Sequence, residues 1–453
     1  RRLRTGLRSI RMRNWVCSVN GERLFLKGAN QGPTRMALAE ASPDELRGDV
    51  GLALDAGLDL LRVHAHISRP ELYDAADERG LLLWQDMPLQ WGYAAGVRRP
   101  AVRQARAAVD LLGHHPSIAM WCGHNEPMAM DTAAANGDRR ALRNALRMVR
   151  AQQLPTWNKT VLDASIKRAL EKADGTRPVV AHSGVAPHLP QLDGTDSHLY
   201  FGWCWGDERD LPGFARTLPR MVRFVSEFGA QAVPAADDSG DGAAFCEPQR
   251  WPDLDWARLR DRHNLQKARF DRHVPPADFA SFDDWRIATQ RYQAELIRRH
   301  VEVLRRLKYR PTGGFAQFCM ADGHPGVTWS VLDHERRPKL GYEALCDACR
   351  PVVVIADRLP AMVAPGDALA LDVHVVSDLR VAVDDARVTA RLEWPGGRHE
   401  WRWAGDVPAD SCVRVGTLQA VVPEADGPLR LDLELHLSRR DVIVNHYRST
   451  IAD

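Results

Sequence analysis

The sequence predicts an α/β fold, a (β/α)8 barrel of the TIM type followed by a small C-terminal β-sandwich. Three observations predict it. From Leu24 to about Arg350, eight short apolar runs alternate with longer helical patterns, the rhythm of β/α units around a parallel sheet. Beyond Arg350 the rhythm changes to alternating, strand-like runs separated by turn residues. The 453 residues leave room for two or three domains.

The elements follow in order. Residues 1–20 read as the end of a truncated upstream β-sandwich domain, because Leu7–Trp15 alternates as a strand would. The basic stretch Arg1–Arg13 has no apolar core or cleavage site behind it and is no signal peptide, which leans the expected compartment to the cytoplasm. Residues 21–350 form the barrel. Its strands are expected at Leu24–Lys27, Leu58–Val63, Leu81–Trp84, Ser117–Trp121, Val179–His182, Ser197–Tyr200, Arg223–Ser226 and Gly314–Met320. The first helix is signalled by Ser42 as N-cap, Pro43 in the first turn and Glu45 three residues past the cap. Residues 234–283 are polar and irregular and read as an insertion, a periodic helix follows over about Asp284–Leu307, and the last barrel helix begins near Pro338. Residues 351–453 form an immunoglobulin-like β-sandwich with strands at Leu369–Val376, Val388–Trp394, Val413–Val422 and Leu429–Leu437.

Composition excludes several functions. The formal net charge of +2 gives no electrostatic reason to expect nucleic acid or a membrane surface as partner. No apolar run reaches the roughly 18–20 residues of a membrane-spanning helix. The eight cysteines are dispersed, so a disulfide framework is not expected, and the lone Cys346/Cys349 pair lacks the second half of a zinc site. Fourteen tryptophans offer either sugar-stacking surfaces or core filling.

Two glutamates stand where a barrel carries its chemistry, just past the C-terminal ends of strands. Glu126 follows the apolar run Ser117–Trp121, and Glu227 closes Arg223–Ser226. A carboxylate at the end of an apolar strand is costly unless it is paired or used. On the fourth and seventh strands the two would face each other across the barrel mouth, the relation that glycoside hydrolysis needs. Pairing of either one with an arginine is the alternative.

Several motifs in one order carry a resemblance. They are Val19–Asn30, Asp55-Ala56-Gly57 with Leu61–His64, Leu72–Asp86, His115–Ile118 through Asn125-Glu126, Ser226–Gly229 with Gln231, and Trp329–Asp333 with Pro338-Lys339. Together they resemble glycoside hydrolase family 2, the family of β-galactosidases, β-glucuronidases, β-mannosidases and exo-β-glucosaminidases. The resemblance implies a retaining exo-β-glycosidase acting on a carbohydrate, with Glu126 as acid/base and Glu227 as nucleophile, no cofactor and no metal. It also implies Asn125 on the sugar 2-hydroxyl, Arg62 beneath the nucleophile, Tyr200 donating a hydrogen bond near it, and substrate contacts from His64, Asp86 and Asp322. Trp84-Gln85-Asp86 and Cys122-Gly123 resemble the mannosidase and glucosaminidase branch, whereas His64-Ala65-His66 leans toward the galactosidase and glucuronidase pattern. β-Mannosidase-like specificity is the expectation. Galactosidase- or glucuronidase-like specificity, or an inactive carbohydrate-binding relative, are the alternatives.

The eighth strand departs from the family pattern. It reads Phe318-Cys319-Met320-Ala321-Asp322, which makes Phe318 the expected stacking platform and removes a polar contact at Ala321. Trp203 and Trp205 follow the sixth strand, and one of them is expected to line the pocket unless both pack in the core. Trp91 and Tyr93 are weaker candidates of the same kind.

Overall fold

The structure, a computed structural model, describes residues 5–128, 154–185, 196–235, 251–437 and 441–452. Cys246 and residues 236–250 of the expected insertion lie outside them. The chain divides into two compact units, one of residues 1–301 with 309–347 and one of residues 302–308 with 348–453.

The first unit opens with an antiparallel sheet of β1 (Ile10–Arg13), β2 (Val16–Val19) and β3 (Glu22–Leu24). The chain then runs through β4 (Leu26–Gln31), α1 (Pro43–Asp55), β5 (Leu60–Val63), α2 (Pro70–Arg79), β6 (Leu82–Asp86), α3 (Arg98–Leu112), β7 (Ile118–Cys122), α4 (Asp163–Ala173), β8 (Val179–Val180) and β9 (Ser197–His198). It continues with α5 (Asp210–Thr217), β10 (Phe224–Glu227), α6 (Trp256–His263), α7 (Lys267–His273), α8 (Phe282–Arg306), β11 (Gly314–Gln317) and α9 (Leu340–Ala348). Ser42 caps α1 in a full capping box: its hydroxyl accepts from the Glu45 amide, and the Glu45 carboxylate accepts from the Ser42 amide.

Eight strands form one parallel sheet in the order β8-β7-β6-β5-β4-β11-β10-β9. β4, β5, β6, β7, β10 and β11 are buried along almost their whole length, as strands covered on both faces must be. The two end strands meet through side chains: the Ser183 hydroxyl, just past β8, donates to Asp196 Oδ2 at 2.5 Å, and Ser183 Oγ lies 3.2 Å from His198 Nε2 on β9. The β1–β3 sheet covers the N-terminal end of the barrel. Its Trp15 stacks on Trp84 and packs tilted against Phe224, with centroids 5.8 and 5.4 Å apart, and shares a cluster with Leu26, Leu60 and Ala316.

The second unit pairs a three-stranded sheet, β12 (Val352–Ala356), β14 (Ala368–Ser377) and β17 (Ser411–Val421), with a five-stranded one in the order β13-β19-β18-β15-β16. The latter holds β13 (Met362–Val363), β15 (Val383–Trp394), β16 (Gly397–Val407), β18 (Gly427–His436) and β19 (Val442–Ile451). The alternation along β18 buries Leu429, Leu431, Leu433 and Leu435 in one core with Val373, Val388 and Leu392.

Candidate active site

The site is built at the C-terminal ends of the barrel strands, where Arg62 organises it. Arg62 lies on β5 and is fully buried. Its Nη2 donates to Asn125 Oδ1 at 2.6 Å and pairs with Asp86 Oδ2 at 2.9 Å, and its Nη1 donates to Glu227 Oε1 at 3.2 Å. Trp84 lies beneath the guanidinium, 5.1 Å from ring centroid to Cζ. Burial opposes its charge, but Asp86 and Glu227 outweigh burial and strengthen its hold on the proton.

Glu227 ends β10 and is nearly buried. The Tyr200 hydroxyl donates to its Oε2 at 2.8 Å. Three cations or potential cations converge on its Oε1: Arg62, His64 Nε2 at 3.3 Å and His198 Nε2 at 3.4 Å. Burial alone would push the Glu227 pKa up. His198, His64 and Arg62 outweigh it and hold the carboxyl down at about 2, below the ordinary carboxylate range.

Glu126 is placed differently. It lies beyond β7 with its backbone in the left-handed region, φ 45°, which a non-glycine residue adopts only where the surroundings fix it. Its amide donates to the Ser183 carbonyl, and its side chain is the more open of the two, at 19% exposure. Glu126 Oε1 lies 2.7 Å from His198 Nδ1. The nearest polar atoms of Glu126, His198 and Glu227 all lie within 4.8 Å of one another. One carboxyl is therefore fixed as an anion among cations, while the other, close by, reaches toward solvent.

Asn125 directs its Oδ1 at Arg62, and its buried Nδ2 has no hydrogen-bond partner among the described residues. Phe318, one residue past β11, meets His64 edge-on at 5.3 Å and packs against Tyr200 and Trp329.

The other sequence candidates have varied surroundings. Asp86 stands behind Arg62, fully buried and accepting from the Ala65 amide. Asp322 accepts from Thr328 and Ser330 at 2.6 and 2.5 Å. Trp203 is not brought to the cleft: it is fully buried, donates to Gln266 Oε1 and packs between Phe270 and His273, because the turn after Tyr200 folds back into the α6–α8 core. Trp205 is 42% exposed and its ring partner is Phe201. Trp91 is exposed, and Tyr93 packs on His124.

Sequence reasoning missed His198 and Trp329. The one hint of His198 in the sequence was its place two residues before Tyr200, too short a pattern to single it out without its spatial partners. Two groups among the described residues bring three possible cation ligands together, Glu126-His198-Glu227 and Asp74-Asp77-His115. The first already has Arg62 as its cation, and His115 Nδ1 in the second lies 2.7 Å from Asp77 Oδ2.

Among curated proteins, the chain is 26% identical over 361 residues to β-mannosidase B of Thermothelomyces thermophilus, covering 74% of this chain and 40% of that protein. It is 28% identical over 242 residues to the β-mannosidase of Capra hircus, covering 48% of this chain and 25% of that protein. Among solved structures, the β-D-mannosidase of Dictyoglomus thermophilum superposes with a TM-score of 0.75 at 20% identity, over 99% of this chain and 54% of that one. The exo-chitosanase of Amycolatopsis orientalis gives 0.72 at 16%, over 98% and 51%. The chain thus spans about half the length of these structures or less of the curated relatives. No protein-family model matches it. These sequence relatives are β-mannosidases and its fold is that of the solved β-mannosidase, which supports the assignment to glycoside hydrolase family 2.

Proposed function

We propose that this chain is the catalytic part of a retaining exo-β-glycosidase of β-mannosidase-like specificity, with Glu227 as nucleophile and Glu126 as acid/base. One observation carries the reading: the two carboxyl groups lie within 4.8 Å at their nearest oxygens and have opposite environments. Retaining enzymes hold their carboxyl groups about 5–5.5 Å apart, whereas inverting enzymes need about 6.5–9.5 Å to admit a water. The fixed anion attacks C1, and the open carboxyl protonates the leaving oxygen and later activates water.

The remaining groups fit this chemistry. The free Asn125 Nδ2 offers a donor to the sugar 2-hydroxyl, a contact that strengthens in an oxocarbenium-like transition state. Phe318 and Trp329 supply apolar wall for a sugar ring. The β-mannosidase relatives support mannose as the sugar.

A panel of nitrophenyl β-glycosides (mannoside, glucosaminide, galactoside, glucuronide) tests the reading, with the wild type beside Glu227→Gln and Glu126→Gln. The expected result is turnover of the mannoside with net retention, read as the anomer first formed by NMR, and loss of about 10³-fold or more in Glu227→Gln. Turnover of another sugar replaces the specificity and keeps the mechanism. Turnover unchanged in Glu227→Gln overturns the mechanism.

A further inference from the structure

Among the described residues, His198 is the side chain whose ring nitrogens reach both glutamates. Its Nδ1 lies 2.7 Å from Glu126 Oε1, and its Nε2 lies 3.4 Å from Glu227 Oε1 and 3.2 Å from Ser183 Oγ. The ring is held from three strands. The Ser183 hydroxyl donates its hydrogen to Asp196 Oδ2, so toward Nε2 it presents a lone pair, and Nε2 carries a hydrogen. The Ser226 hydroxyl donates to the same Asp196 oxygen. Gly184, at φ 76°, leaves the space the ring occupies: a Cβ there would stand 2.4 Å from His198 Cε1. Ser183, Gly184 and Asp196 form a slot shaped and polarised for an imidazole.

We propose that His198 is a positioning residue that stands as an imidazolium between acid/base and nucleophile and faces the anionic member of the pair at each stage. This rests on the assignment of Glu126 and Glu227 above. In the first step a Glu227 oxygen bonds C1, the C1–oxygen bond of the leaving group breaks, and the Glu126 proton goes to that oxygen. Negative charge leaves Glu227 and appears on Glu126. In the second step water adds its hydroxyl to C1, the ester to Glu227 breaks, and the water's proton goes to Glu126, so the charge returns. His198 keeps both its protons throughout, with Nε2–H toward Glu227 at the start and Nδ1–H donated to Glu126 in the intermediate.

The surroundings favour that charge. Burial opposes it, but Glu227 and Glu126 outweigh burial and raise the pKa of His198. The charged groups facing it are Glu126 beyond β7, Glu227 on β10, Asp196 before β9 at 3.8 Å and, opposing, Arg62 on β5. His64 and Tyr200 reach it through Glu227.

Two measurements on the whole chain test this. The first is the pH profile of kcat/KM for wild type, His198→Asn and His198→Ala, with folding checked by circular dichroism. Asn keeps an N–H near the Nδ1 position and carries no charge. Its kcat/KM is expected about 10- to 100-fold below wild type, with both limbs of the bell at higher pH, because an imidazolium favours the ionised form of each carboxylate it faces. Ala is expected to lose more than Asn. A folded Asn variant with both limbs unmoved overturns the proposal. The second is an NMR titration of the histidine rings in wild type, Glu126→Gln and Glu227→Gln, which needs no turnover. The His198 midpoint is expected to fall in both variants, and a midpoint indifferent to both overturns the proposal. A wild type silent on every glycoside with the NMR coupling intact faults the assigned reaction and upholds the charge coupling.

Discussion

At the residue scale the site is an asymmetry between two identical side chains. Glu227 and Glu126 differ only in what surrounds them: convergent cations hold one ionised against its burial, and the other is open to solvent. Tyr200 isolates one part of that difference. Its hydroxyl donates to Glu227 Oε2, and Tyr200→Phe removes that bond while keeping the ring packed on Phe318 and Trp329. A hydrogen bond to a charged group contributes about 1.5–3 kcal/mol, so kcat/KM is expected to fall by up to about 150-fold and the thermal midpoint to fall with it. Equal rates for the two proteins would show that the hydroxyl only completes the packing. The two glutamates were legible in the sequence because Glu227 ends an apolar strand and Glu126 closely follows one. His198 was not, because its strand has two residues and its significance arises from partners on β7, β8 and β10 that are far apart in sequence.

At the element scale legibility followed hydrophobic pattern. The barrel strands could be read because a strand covered on both faces is a continuous apolar run, and α1 could be read because its cap is chemical. β16 could not, because it is an edge strand rich in Arg, His and Glu whose Trp401 and Trp403 are only partly buried. α6 and α7 lie in the stretch expected to be irregular: each has only seven or eight residues, dominated by Arg, Asp, Lys and His. The β1–β3 sheet is the element whose packing could not be foreseen, since the cavity receiving Trp15 is made by Trp84 and Phe224. Trp15 is 9% exposed, and Trp15→Ala opens the floor of the barrel. The expected cost is about 3–5 kcal/mol, read as a lower urea midpoint. A midpoint equal to wild type would mean that the sheet merely rests on the barrel.

At the scale of the whole molecule the buried histidines set the response to acid. Burial holds His66 and His300 in the first unit, and His374 in the second, down at about 4. Between that value and the ordinary 6.5, the unfolded chain binds protons that the native chain refuses, so stability falls as pH drops through this window. Glu227 and Asp174, both held at about 2, extend the loss: their contribution is complete above the ordinary carboxylate range and disappears as pH falls toward 2. His198 works in the other direction, because its raised pKa gives stability that is present below the ordinary histidine range and lost as pH rises through its folded value. Among the histidines with shifted pKa values, one of that sign stands against six of the other: His66, His114, His263, His273, His300 and His374. Calorimetry is therefore expected to give a lower thermal midpoint at pH 4.5 than at pH 7. His300→Gln, which replaces a proton-refusing ring by a neutral amide within reach of the Leu296 carbonyl, is expected to shrink the difference. A midpoint that rises on acidification would mean that His198 and its two glutamates outweigh every buried neutral histidine, and would make the charge at the active site the main determinant of acid stability.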